Sequence, residues 1–227
     1  MTEQLLSCVE VEPVQPAMAS VIWLHGLGAD GHDFEPVIPA LKLPASLPVR
    51  FVFPNAPVQP VTVNGGWEMP AWYDILEMKL ERKIDVDGLL HSVSQINRLI
   101  EREIDRGIPA NKIILAGFSQ GGAVAYHTAL CFPQPLAGLL TLSTYVATAE
   151  LIKQHRSEAN QAIPIAIHHG TADDVVPISL GQQAKELLQQ LEYKPQWHSW
   201  PVDHGLCLEE IEAIGVWLTA LLTMETI

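Results

Sequence analysis

Gly117-Phe118-Ser119-Gln120-Gly121 is the sharpest chemical signal in the chain, a G-x-S-x-G pattern around one serine. It follows the apolar run KIILA and opens a helical stretch, Gly122–Leu130. That strand–turn–helix setting is the one in which such a serine becomes a nucleophile. The turn must hold the serine in a strained backbone conformation, so the flanking positions must be nearly free of side chain. Gly117 and Gly121 meet that demand, and Gly122 adds room. The N–H groups opening the next helix favour negative charge developing at the site. The same pattern also arises by chance in glycine-rich turns, so the reading depends on partners.

An alcohol needs a histidine to take its proton and a carboxylate to fix that histidine's tautomer. In this arrangement the chain order is Ser, then Asp or Glu, then His. The histidines after Ser119 are His127, His155, His168, His169, His198 and His204. His127 lies two turns into the helix behind the serine, and His155 sits in a polar helical stretch. His168 and His169 end a strand with no carboxylate-bearing loop before them, while His198 alternates inside a strand pattern. His204 differs, lying in the short Pro201–Gly205 loop after the last strand. That loop belongs at the carboxyl edge of the sheet, where open α/β sheets carry their sites, so His204 is the expected base. The loop Gly170–Pro177 also leaves a strand at that edge and supplies Asp173 and Asp174. Spacing alone does not separate these two. Asp203 adjoins His204, and sequence neighbours rarely pair their side chains face-on. An oxyanion hole needs the N–H after the nucleophile, here Gln120, and one from a loop after an early strand. The glycine-rich turn Leu24–Gly31 is the expected source of the second. It lacks the spacing and the lysine of a phosphate-binding loop.

These loops need strands to hold them. Short apolar runs at Ser20–Leu24, Val49–Phe53, Lys112–Gly117, Leu136–Leu142, Ile163–His168 and Gln196–Trp200 alternate with amphipathic segments. This is the pattern of a mostly parallel sheet with helices on both faces, its strands apolar almost throughout because both faces are buried. Asp87–Arg106 carries apolar residues at spacings of three and four, with Gly107 as a C-cap and Pro109 beyond. Ser179 followed by Gln182 reads as a capping box opening another helix, and Leu208–Leu222 as the last. Pro and Gly concentrate between Pro54 and Pro70, which reads as a long surface loop. With no internal repeat or linker, residues 1–227 read as one domain.

Composition narrows the function classes. At 48% hydrophobic and 17% charged, the 227 residues suit a globular core. A formal charge of −13 disfavours binding to nucleic acid or to anionic lipid surfaces. Cys8, Cys131 and Cys207 are an odd, scattered set without zinc-ligand spacing, which suits a reducing compartment. The opening MTEQLLSCVEVEP lacks the pattern of a secretory signal. The most apolar stretches, Ala137–Val146 and Ile214–Met224, fall well below the ~20 residues that span a bilayer. The expectation is a cytoplasmic protein without stable membrane insertion; its oligomeric state, a dimer included, is open.

With these residues in place, the chain resembles the phospholipase/carboxylesterase family, which includes acyl-protein thioesterases. The resemblance runs through WLHGLGADGHDF at Trp23–Phe34, PNAP at Pro54–Pro57 and MPAWYDI at Met69–Ile75. It continues through GFSQGG at Gly117–Gly122, HGTADDVVP at His169–Pro177 and DHGLCLEEI at Asp203–Ile211. It implies an α/β-hydrolase fold, Asp173 as the acid, and Leu27 and Gln120 as the oxyanion donors. It also implies that the Trp72 loop borders the acyl pocket, in keeping with the aromatic and Met content of Gly66–Tyr73. Trp72 and Met69 are the pocket residues expected on that basis, a Trp buried for structural reasons being the alternative. The segment between Leu142 and Ile163 holds about one helix, too short for a large lid domain. The expected activity is hydrolysis of a small-molecule acyl ester or thioester through an acyl-enzyme, with no metal or organic cofactor. Lysophospholipid or acyl-protein hydrolysis is the alternative within the enzyme class, and an inactive acyl-binding protein is the alternative outside it.

Overall fold

Six apolar runs become neighbouring parallel strands, and their common direction gathers every loop named above on one edge. The computed structural model describes residues 5–77 and 83–223, so the first four residues and Met224 lie outside it. The chain opens with β1 (Cys8–Val11), β2 (Ala19–Leu24) and β3 (Val49–Pro54). Two small antiparallel hairpins follow, β4 (Val58–Val61) with β5 (Trp67–Pro70), and β6 (Ile75–Glu77) with β7 (Lys83–Ile84). Then come α1 (Val86–Asp105), β8 (Ile113–Phe118), α2 (Gln120–Cys131), β9 (Gly138–Leu142), α3 (Ala149–His155), β10 (Ile165–Gly170), α4 (Ile178–Gln190), β11 (Gln196–Trp200) and α5 (Leu208–Thr223). The main sheet runs β1-β3-β2-β8-β9-β10-β11. All its pairings are parallel except that of β1, which lies antiparallel on β3.

Two apolar layers cover the sheet. On one face Ile22, Leu24, Leu115 and Ile167 pack with residues of α1, α2 and α4. On the other, Trp23, Phe53, Ile114 and Leu140 pack with Ile214, Leu218 and Leu222 of α5. Strands buried on both faces read as unbroken apolar runs, and β2, β3, β8, β9 and β10 are buried at every position. The edge strand β11 departs from this expectation, since one side lacks a neighbour and its residues are half-buried or exposed. Helix α1 begins on Asp85, whose carboxylate accepts from the Gly88 N–H at 3.1 Å. It ends as predicted: Gly107 has φ +96° and donates to Ile104 O, while Ile108 N donates to Glu103 O.

Two local expectations need correction. Pro54–Pro70 is not an irregular loop; β4 and β5 pair within it around a 3-10 turn at Thr62–Asn64. The strands are short and rich in Pro, so their period-2 signal is drowned by turn residues. Ser179 is no cap, because α4 starts one residue earlier behind Pro177 and no side chain caps it. Ser179 therefore sits inside the first turn.

An ion network ties the antiparallel edge to α1. Glu103 is fully buried and accepts from Arg50 at 2.8 Å, Arg106 at 2.9 Å and Arg102 at 3.1 Å. Arg102 and Arg106 reach on to Glu10, and Arg50 and Arg106 to Glu12. Burial opposes ionisation of Glu103, but the three guanidiniums outweigh it and hold the carboxyl below its usual range. Removing this carboxylate leaves three cations facing one another, so Glu103→Ala should cost about 3 kcal/mol in urea unfolding.

His127 is buried in α2, its Nδ1 2.7 Å from Thr148 Oγ1. Burial, with a smaller contribution from His155, lowers its pKa. The unfolded chain therefore takes up this proton first, from about pH 6.5 downward. The native state keeps its full advantage above that pH and loses it as pH falls through the lowered native value. Comparison with His127→Gln cancels the change in overall charge. The stability of the native protein relative to this variant should fall between about pH 7.5 and about pH 5; a constant difference would contradict the assignment.

Candidate active site

The parallel topology sets pairs of loops side by side. Leu24 lies opposite Gly117 in the β2–β8 register, so the glycine-rich turn after β2 meets the serine turn after β8. Gly170 lies opposite Trp200, so the loop holding Asp173 meets the loop holding His204. Thr171 N donates to Trp200 O and Ala172 N to Val202 O, which locks these last two together.

Ser119 sits between β8 and α2 with φ +51° and ψ −119°. For a residue with a Cβ this is a costly conformation, on the order of 1–3 kcal/mol. It persists because the surroundings hold it from both sides. Ser119 N donates to Leu142 O at 2.9 Å, and Thr144 Oγ1 donates to Ser119 O at 2.6 Å. The glycines permit the crowding. A Cβ on Gly117 would stand 2.5 Å from Gly121 O, and one on Gly121 would stand 2.5 Å from His25 O.

The structure brings Ser119, His204 and Asp173 into one chain of hydrogen bonds. Ser119 Oγ lies 3.0 Å from His204 Nε2, and His204 Nδ1 lies 2.8 Å from Asp173 Oδ2. A carboxylate only accepts, so the imidazole proton is on Nδ1 and Nε2 is free to receive the hydroxyl proton. Asp173 Oδ1 accepts from Val175 N at 3.0 Å and Val176 N at 2.8 Å. Burial alone would raise the Asp173 pKa; the hydrogen bond from His204 and those two N–H groups overcome it and lower it. Asp174 and Asp203 are exposed. Phe118, the residue before the serine, packs its ring on His204 with centroids 4.7 Å apart.

Two residues on the wall beside Ser119 and His204, Leu27 and Gln120, have backbone N–H groups of interest. Among the described residues no backbone acceptor takes the N–H of Leu27 or of Gln120. The Leu27 N–H shares a peptide plane with the Gly26 carbonyl, which accepts from His25 Nδ1 at 2.7 Å and from Ala29 N at 3.3 Å. Ala56 N donates to His25 Nε2, which leaves the His25 proton on Nδ1. Holding the carbonyl on one side of a planar unit aims its N–H to the other.

A cavity of about 270 Å³ adjoins Ser119 and His204, with Leu27, Val63, Ile75, Phe118, Tyr145 and Val175 on its walls. Trp72 and Met69, expected as pocket residues, do not line it. Trp72 is 1% exposed, and its indole N–H donates to His25 O at 2.8 Å. Its own N–H donates to Gln120 Oε1 at 2.8 Å, and Gln120 Nε2 donates to Tyr73 O at 2.7 Å. Trp72 thus ties its own segment to the turns that carry His25 and Gln120. Met69 stands one layer back, its sulfur accepting from Asn64 Nδ2 at 3.2 Å. Sequence reasoning missed Phe118, Thr144 and Tyr145, although the carboxyl end of β9 was a legible place to look for the last two. Burial pushes the Cys8 and Cys131 thiols up to about 11, which removes both as competing nucleophiles.

Comparison with known proteins places the chain in a family. Residues 7–222 match the family model described as Phospholipase/Carboxylesterase. Acyl-protein thioesterase 1 of Neurospora crassa is 39% identical over 212 residues, covering 88% of this chain and 86% of that protein. Acyl-protein thioesterase 1 of Saccharomyces cerevisiae is 42% identical over 180 residues, covering 78% and 79%. The crystal structure of Zea mays acyl-protein thioesterase 2 superposes with a TM-score of 0.84 at 28% identity, covering 95% of this chain and 99% of that one. A parallel sheet with helices on both faces and only α3 with one 3-10 turn between β9 and β10 is the α/β-hydrolase fold without a large lid. The chain belongs to the phospholipase/carboxylesterase family of α/β-hydrolases and is a serine hydrolase.

Proposed function

We propose that the chain hydrolyses small-molecule acyl esters and thioesters in two steps through an acyl-enzyme on Ser119. The observation that carries this is the bonded series Ser119–His204–Asp173, at 3.0 and 2.8 Å, beside two unengaged N–H groups. Ser119 Oγ attacks the acyl carbon while His204 Nε2 takes its proton. Asp173 keeps the imidazole in the Nδ1–H tautomer and stabilises the imidazolium. Leu27 and Gln120 N–H groups receive the oxyanion, a contribution of about 3–4 kcal/mol per donor. His204 then protonates the leaving alcohol or thiol, activates a water against the acyl-enzyme and returns the proton to Ser119. Side chains and backbone dipoles carry every charge change, so the cycle calls for no metal or organic cofactor.

The apolar walls around about 270 Å³ suit an acyl chain at the small end of the usual ligand-pocket range. An S-acylated protein as substrate, with the cysteine thiol as leaving group, is the second reading, favoured by the related thioesterases. The same proposal takes residues 1–227 as one domain acting in the cytoplasm. It is supported by two apolar layers on one sheet and by the absence, among the described residues, of any helix long and apolar enough to cross a membrane.

A fluorophosphonate probe should label the native protein at Ser119 and leave Ser119→Ala unlabelled. Asp173→Asn should lower kcat by about 10⁴-fold with the fold intact. Unchanged labelling of Ser119→Ala would end the proposal. Matched oxygen esters and thioesters from acetyl to palmitoyl should show kcat/KM greatest for short and medium chains. A steady rise to palmitoyl would instead support the second reading.

A further inference from the structure

His169 is a fully buried histidine that the proposed reaction does not use. It lies on β10, one residue before the loop that carries Asp173. Its Nε2 is 2.8 Å from Val176 O. A carbonyl only accepts, so Nε2 carries the proton and Nδ1 is bare. Nδ1 has no hydrogen-bond partner among the described residues. Its surroundings explain why. A Cβ on Gly181 of α4 would collide with Nδ1, so the ring lies directly on that helix backbone. Trp197 stacks nearby, with centroids 6.2 Å apart and planes 20° from parallel. The charged or titratable neighbours are Asp173, whose Oδ2 is 3.7 Å from Nε2, and, further off, His204 and Glu210. Burial is the largest influence and keeps the ring neutral, below the usual histidine range.

Val176 is the hinge of the argument. Its N–H donates to Asp173 Oδ1, while its carbonyl receives the His169 proton. Asp174 is exposed, while Val175 N and Val176 N both donate to Asp173 Oδ1; of these two residues Val176 is the one whose carbonyl is held in turn, by His169. We propose that His169 is a positioning residue: its Nε2–H pins Val176, and through Val176 it fixes the carboxylate that orients His204. The inference rests on the reading of Ser119, His204 and Asp173 as the reacting set. The donor is neutral, so it orients Asp173 without competing with His204 for the carboxylate's charge.

His169→Leu fills the space and removes the donor, whereas His169→Gln places an N–H at similar reach. In His169→Leu, kcat should fall roughly 10- to 100-fold with KM little changed, as expected when a reacting group is displaced slightly. The acidic limb of its kcat/KM profile should move to lower pH, because a loosened Asp173 supports the His204 imidazolium less. His169→Gln should restore both. Gly181→Ala, which forces the ring aside, should reproduce the leucine phenotype. If the leucine variant fails to fold, ¹⁵N NMR of the native protein still decides. The inference requires the His169 proton on Nε2 with no titration across the assay range; a proton on Nδ1, or a ring that titrates there, overturns it. An unmoved acidic limb in a folded His169→Leu, or a folded His169→Gln no better than leucine, also overturns it. Asp173→Asn run alongside separates the two claims: if it stays fully active the reacting set itself is wrong, and if it fails while His169→Leu does not, only the positioning role is lost.

Discussion

The backbone of Ser119 is held in a conformation on which the placement of the whole site depends. A left-handed φ on a residue with a side chain survives only where neighbours leave no alternative. Here β8, β9 and α2 converge on it, and the chain at Gly117, Gly121 and His25 approaches more closely than any Cβ would allow. The reward is positional. The hydroxyl is left within hydrogen-bond reach of His204, and the next N–H in the chain has no backbone acceptor among the described residues. Because β2 and β10 lie in the same sheet, the turns that complete the site inherit their placement from strand register.

Imidazoles recur around this point, and each has a ring proton placed by a partner that can act in only one way. His25 has a carbonyl on Nδ1 and an N–H on Nε2; His204 has a carboxylate on Nδ1; His169 has a carbonyl on Nε2. Burial lowers the pKa of His25 and His169, so both stay uncharged donors close to a centre where charge must develop. An uncharged donor can orient a carbonyl without adding a full charge that the reaction must then overcome.

Much of this was legible in the sequence. Apolar runs mark five buried strands, the G-x-S-x-G turn marks Ser119, and loop position with chain order marks His204. Choosing Asp173 over Asp174 needed the resemblance, because two adjacent carboxylates differ only in which one the turn points inward. Trp72 misled for a physical reason: a large aromatic near a site can line it or brace it, and composition does not distinguish a wall from a buttress. The hairpins at Val58–Pro70 and Ile75–Ile84 escaped because strands of two to four residues carry too little periodicity. His169 looked inert for lack of a carboxylate before it; its partner lay after it, across a turn.

The Gln120 side chain has a consequence for anyone wishing to reshape this protein. Its amide clamps the backbone of Trp72 and Tyr73 while Gln120 itself borders the cavity, so the nucleophile turn and the Trp72 segment are one mechanical unit. Trimming Trp72 to enlarge the acyl space would loosen that unit rather than widen the pocket. Val63 touches the cavity from a segment outside the clamp, whereas Ile75 follows the clamped segment and Val175 belongs to the turn whose N–H groups hold Asp173. A change at Val63 alters the cavity wall without cutting either set of hydrogen bonds.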